Sequence, residues 1–141
     1  MRMLDVNILV NAQRRDAEHH EECLAVVEDA VNGDAAYAVS DFVINGFVRI
    51  VTNARIPQAT SIEKACRFAA SVRNQPHAVL VNAGPRHWEI FTRLCEQAGV
   101  AGNLVPDAYL AALAIEHGCE FVTCDKDFAR FQGLRLRSPL N

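Results

Sequence analysis

The chain has 141 residues, 50% hydrophobic and 22% charged, with 14 Lys and Arg against 17 Asp and Glu for a formal net charge of −3. That balance excludes disorder and collagen, and residues 1–141 read as one domain, since a chain of this size buries roughly 68–70% of its unfolded surface around a single core. The longest apolar run, Ala108 to Ile115, falls far short of the ~20 residues of a membrane span, so no membrane role is expected.

In chain order, Met1–Leu4 is a short β-type run. Asp5 follows before any apolar signal region develops, which predicts no secretory peptide and a cytoplasmic protein. Leu24, Val27 and Val31 keep a helical spacing over Glu21–Asn32, with Gly33 as the stop. Ala36–Val39 is a strand, and Phe42, Val43, Phe47, Ile50 and Val51 predict a helix over about Asp41–Val51. Thr60-Ser61-Ile62-Glu63 reads as a capping box, opening a stripe of Ile62, Ala65, Cys66, Ala69 and Val72. The strand Ala78–Val81 is followed by a stripe of Trp88, Phe91, Leu94, Cys95 and Ala98 that ends at Gly99. Pro106 opens a helix over Asp107–His117, which Gly118 closes. Phe121–Thr123 and the alternating Leu134–Arg137 complete the strands. Such alternation predicts an α/β layered domain around a mostly parallel sheet, with a ligand crevice outside the carboxyl ends of the strands.

The acids fall at that edge. Asp5 ends the first strand, Asp125 and Asp127 follow the Phe121–Thr123 strand, and Asp107 opens a helix too apolar to lie on the surface. Singly, each has a structural reading: Asp5 as the cap of a short helix, Asp107 as a first-turn acid, Asp125 and Asp127 as an Asx turn. Together, three separate segments deliver carboxylates to one sheet edge. Crowded carboxylates resist desolvation unless a cation compensates, and all-oxygen ligands suit Mg²⁺ or Mn²⁺.

At this point the sequence resembles a known family. Leu4-Asp5-Val6-Asn7-Ile8-Leu9-Val10, Phe47-Val48-Arg49-Ile50-Val51-Thr52-Asn53, Asp107–Ala114 with His117-Gly118, and Thr123-Cys124-Asp125-Lys126-Asp127-Phe128 resemble the PIN-domain ribonucleases, and more narrowly the VapC-type toxins of toxin–antitoxin pairs. The resemblance covers essentially the whole chain. It implies an α/β/α sandwich and a Mg²⁺- or Mn²⁺-dependent endoribonuclease acting on structured RNA of the tRNA or rRNA class. Metal-activated water would attack a phosphodiester, leaving a 5′-phosphate and a 3′-hydroxyl. Asp5, Asp107 and Asp125 match the family's metal-binding acids, Asp127 its less uniform one, and Thr123 the hydroxyl before the third acid. Asn7 matches a polar position beside the first acid. A homodimer and a VapB-type antitoxin, whose C-terminal segment obstructs the crevice, are also implied.

One departure stands out: Gly46 occupies the position where the family usually has a glutamate. Asp41 is the nearest substitute, but five residues away it stands about 140° around an ideal helix. With Ser40 as cap, it reads rather as a helix-start acid. Gly46 also motivates an alternative, a catalytically weakened PIN-like RNA-binding or scaffold module. A phosphoacceptor domain of the receiver type is a poorer reading, because the only lysines are Lys64 and Lys126.

The remaining features read as structural. Five cysteines without a C-x-x-C pair argue against a disulfide framework or zinc knuckle and read as small buried hydrophobes. Glu18-His19-His20-Glu21-Glu22 lacks the spacing of a helical metal site. Twelve of the 14 basic residues are arginines, suited to phosphate. Among Arg14, Arg15, Arg49, Arg86, Arg130, Arg135 and Arg137, only Arg49 is expected near the site.

Overall fold

Five strands of three residues each, β1 (Arg2–Leu4), β2 (Tyr37–Val39), β3 (Ala78–Leu80), β4 (Glu120–Val122) and β5 (Arg135–Arg137), pair entirely in parallel in the order β3-β2-β1-β4-β5. They are seen in a computed structural model that describes residues 1–140. The chain builds outward from β1 through β2 to β3, then returns to place β4 on the other side of β1. That reversal makes the β1/β4 boundary the point where loops diverge above the sheet. Leu4 pairs with Val122 there, so the register sets Asp5 beside Thr123.

The helices are α1 (Val6–Gln13), α2 (His20–Asn32), α3 (Asp41–Val51), α4 (Ile62–Arg73), α5 (His87–Ala98) and α6 (Val105–Glu116). The first four pack against one another and α5 packs with α6, giving the two helical layers of the expected sandwich. Met3, Tyr37, Phe121 and Val122 are wholly buried, as is nearly all of Ala108–Ala114 on α6. A helix buried on all sides fits its continuous apolar run and lack of a polar face.

Several local expectations are corrected. The α4 cap is Ser61, whose Oγ accepts from Lys64 N–H, while the Thr60 hydroxyl donates to Gln13 and accepts from Arg14. The cap is therefore displaced by one residue, because Thr60 is taken by α1, and the expected box is lost, since Lys64 rather than Glu63 stands at N3. Gly33 ends α2 without a left-handed backbone; a Cβ there would lie 2.7 Å from the Asp29 carbonyl oxygen, so glycine serves close approach. Trp88 is 71% exposed, because α5 buries His87, Ile90 and Leu94 instead. Ile62 and Cys66 are also exposed, so the cysteines are not uniformly buried.

Beyond β3, the Glu116 carboxylate accepts from the N–H groups of Gly84 (2.8 Å) and Arg86 (3.0 Å), tying the end of α6 to the start of α5. Its side chain is only 5% exposed, and a Cβ on Gly84 would sit 2.6 Å from its Oε2. Glu116→Ala should lower stability by about 2 kcal/mol in urea denaturation, since both N–H groups lose a charged acceptor.

Candidate active site

Asp5 is at once the N-cap of α1 and a wall of a cavity of about 670 Å³ at the carboxyl edge of the sheet. Its Oδ1 accepts from Val6 N–H (2.7 Å), and its Oδ2 accepts from the Thr123 hydroxyl (2.7 Å) and the Asn7 amide (3.1 Å). The structural and functional readings of this acid are thus the same conformation. Asn7 also donates to Thr123 Oγ1 and accepts from Cys124 N–H, binding the start of α1 to the loop after β4. Thr123 Oγ1 accepts from Asp125 N–H, and Asp125 Oδ1 accepts from Asp127 N–H in the expected Asx turn.

Asp107, in the first turn of α6, and Asp125 line the same cavity as Asp5 and Asn7. Opposite them stands one face of α3, Phe42, Asn45, Gly46, Arg49 and Ile50, whose spacing is that of a single helical stripe. Phe42 and Asn45 were not singled out as site residues from sequence, although this spacing around Gly46 and Arg49 was the available signal. Asp127 is exposed, ion-paired at 3.8 Å with Arg130, and outside the cavity lining. Asp41 does not join the site: it forks with Arg73 at 2.7 and 3.2 Å. Gly46 does line the cavity, but a Cβ there would lie 3.2 Å from Val6 Cγ2, where α1 and α3 approach closely.

Electrostatics distinguish the buried acids. Burial pushes the Asp5 carboxyl up from 3.8 to about 6; bonds from Thr123 and Val6 oppose the rise, while the charges of Asp107 and Asp125 add to it. Asp107 is likewise raised by burial and by Asp125 and Asp127, with partial relief from Arg130. Among the described residues, no Lys, Arg or His lies within 4.0 Å of the carboxylates of Asp5, Asp107 or Asp125.

The donor set therefore fits a hard divalent cation: all-oxygen, acidic and lacking a protein counter-ion. No three His, Cys, Asp or Glu side chains among the described residues converge closely enough to enclose one ion. A cation held there would take one or two of these carboxylates and complete its shell with water and phosphate oxygens.

The other polar candidates are engaged elsewhere. His20 Nδ1 meets the Asn11 carbonyl at 2.9 Å, fixing the start of α2 on α1, and His117 Nε2 meets the Asn82 carbonyl at 2.8 Å. Arg14 donates to the Pro57 and Gln58 carbonyls, Arg86 to that of Glu116 and Arg135 to that of Gly118, while Arg137 pairs with Glu120. Arg49 alone among the singled-out arginines lines the cavity.

Comparison with known proteins identifies the family. The sequence model of the PIN domain matches residues 2–134. Ribonuclease VapC31 of Mycobacterium tuberculosis is 39% identical over 142 residues, covering 99% of this chain and 100% of the relative. The fold is shared with VapBC2 of Rickettsia felis, solved on a promoter DNA fragment, at TM-score 0.71, 20% identity and 97% coverage of both chains. It is also shared with M. tuberculosis VapC20, described as a sarcin-ricin loop cleaving toxin, at TM-score 0.66 and 13% identity, covering 96% of this chain and 99% of that one. The chain belongs to the PIN-domain family, within its VapC-type ribonuclease branch.

Proposed function

We propose that this chain is a divalent-metal-dependent endoribonuclease toxin that cleaves structured RNA of the tRNA or rRNA class and is neutralised by a VapB-type antitoxin. The observation that carries the reading is the single cavity faced by Asp5, Asp107 and Asp125 without a basic partner. Those acids would hold Mg²⁺ or Mn²⁺, with Asp127 at the periphery. When bound, the cation supplies Lewis acidity and charge neutralisation at a phosphodiester.

The chain's own groups do the positioning. Asn7 and Thr123 both donate to Asp5 Oδ2, which fixes the rotation of its carboxylate at the cavity wall. Thr123 also holds the Asp125 backbone, coupling two of the three acids through one hydroxyl. Arg49, on the opposite wall, offers the cation that a phosphate chain requires. The relatives support the RNA substrate and the antitoxin partner: VapC31 is named a ribonuclease, VapC20 a sarcin-ricin loop cleaving toxin, and a toxin–antitoxin complex from Klebsiella pneumoniae shares the fold.

The test is incubation of purified protein with structured RNA and Mg²⁺ or Mn²⁺ beside an Asp5→Ala control. Cleavage should require both metal and Asp5; metal-independent cutting, or equal cutting by the variant, overturns the proposal. For the partner, growth arrest on expression should be relieved by co-expression of a VapB-type protein that binds this chain.

The homodimer is proposed from exposed apolar side chains: Val79 and Leu80 on the edge strand β3, and Trp88 at the opening of α5. Trp88→Glu should shift the mass measured by light scattering from two chains to one. A variant that keeps the wild-type mass argues against this face as the interface.

A further inference from the structure

We propose that Cys23 and Cys124 form an oxidative modification site, in which a peroxide converts the thiol pair to a disulfide that ties α2 to the loop carrying Asp125. The two sulfurs are 3.5 Å apart although 101 residues separate them in sequence. Asn11 sits over both, its amide 3.8 Å from Cys23 Sγ and 3.9 Å from Cys124 Sγ. A bond requires approach to about 2.05 Å, so the sulfurs must close by roughly 1.5 Å from van der Waals contact. Neither cysteine has a catalytic assignment, and Cys124 lies between Thr123 and Asp125, with its N–H donated to Asn7.

The chemistry balances with one equivalent of peroxide. Cys124 is half-buried and Cys23 fully buried, so the oxidant reaches Cys124 first. Its sulfur takes one peroxide oxygen to become a sulfenic acid, and one water leaves. The Cys23 sulfur then attacks that sulfur, forming the S–S bond and expelling hydroxide, which takes up the Cys23 proton as a second water. Two thiols and one hydrogen peroxide give one disulfide and two waters; two electrons pass from sulfur to peroxide.

The cross-link is read as an endpoint after sustained exposure to peroxide. In the folded protein the pair is expected to remain reduced until oxidant is sustained. Drawing Cys124 toward Cys23 alters its N–H bond to Asn7, and with it the ties that hold Thr123 and Asp125.

The experiment treats the full chain, carrying Cys66→Ser to remove the exposed thiol, with hydrogen peroxide and then with dithiothreitol. Intact mass should fall by two hydrogens, and peptide mapping should join Cys23 to Cys124. The melting temperature should rise by roughly 5–15 °C, reverting on reduction. Backbone hydrogen exchange over residues 123–127 should change with the cross-link. Cys23→Ala and Cys124→Ala, made separately so that one misfolded variant leaves the other, should each abolish the mass loss and the melting shift. A map joining other cysteines, or over-oxidation of Cys124 without cross-linking, overturns the site; unchanged exchange overturns its coupling to the acid loop. A loss of RNA cleavage on oxidation rests on the nuclease reading. Reduced protein that never cleaves RNA counts against that reading, whereas the mass map decides the cross-link independently.

Discussion

Replacing Asp5 by asparagine is expected to cut RNA cleavage by at least about 100-fold while raising the melting temperature of the metal-free protein at pH 7.5 by a few degrees. The first effect follows from losing the most buried acid of the cavity. The second follows from linkage. Asp5 titrates near 6 in the folded chain against 3.8 ordinarily, so at neutral pH folding holds a charge that burial disfavours. Its stabilising, protonated form is complete below the unfolded value and is lost as pH rises through about 6. Asparagine keeps the capping oxygen toward Val6 and removes the charge, although its amide group faces the Asn7 donor. The net gain should be about 1–2 kcal/mol. A variant that loses activity and stability together would mean that Asp5 acts chiefly as a helix cap.

Chelation should abolish cleavage, with Mg²⁺ or Mn²⁺ restoring it, and Mn²⁺ should raise the melting temperature at pH 7.5 much more than at pH 5. A cation and a proton compete for the same carboxylate, so lowering pH through about 6 fills with protons the charge deficit that the metal would otherwise meet. Glu116 does not confound that window. Burial raises it, but bonds from the Gly84 and Arg86 N–H groups prevail and hold it below its ordinary 4.5, so its contribution fades only at lower pH. Melting curves at the two pH values, with and without Mn²⁺, separate the terms. An Mn²⁺ shift of the same size at both values would place the ion away from Asp5.

The acids were legible because their signal is local: each follows a short β-type run or opens an apolar helix, and a parallel sheet gathers strand ends at one edge. What binds them together was not. The Asp5–Thr123 contact depends on β1/β4 register across 118 residues, and three-residue strands carry too little pattern to set a register. The pairing of Asp41 with Arg73 is equally nonlocal and removes the nearest substitute for the missing glutamate. Periodicity likewise placed Trp88 on an apolar stripe, yet α5 rotates to bury His87, which meets the Tyr109 carbonyl at 3.0 Å. A helical wheel gives the spacing of a face, whereas the partner helix chooses which face is inside.

The narrow gap between Gly46 and Val6 bears on how this branch can change. A glutamate arriving at position 46 needs Val6 to yield, whereas trimming Val6 first leaves a void beside the N-terminus of α1. The two substitutions are therefore non-additive, and their order matters. In this chain, a side chain at position 46 is therefore accommodated only together with a shift of a few tenths of an ångström at Val6.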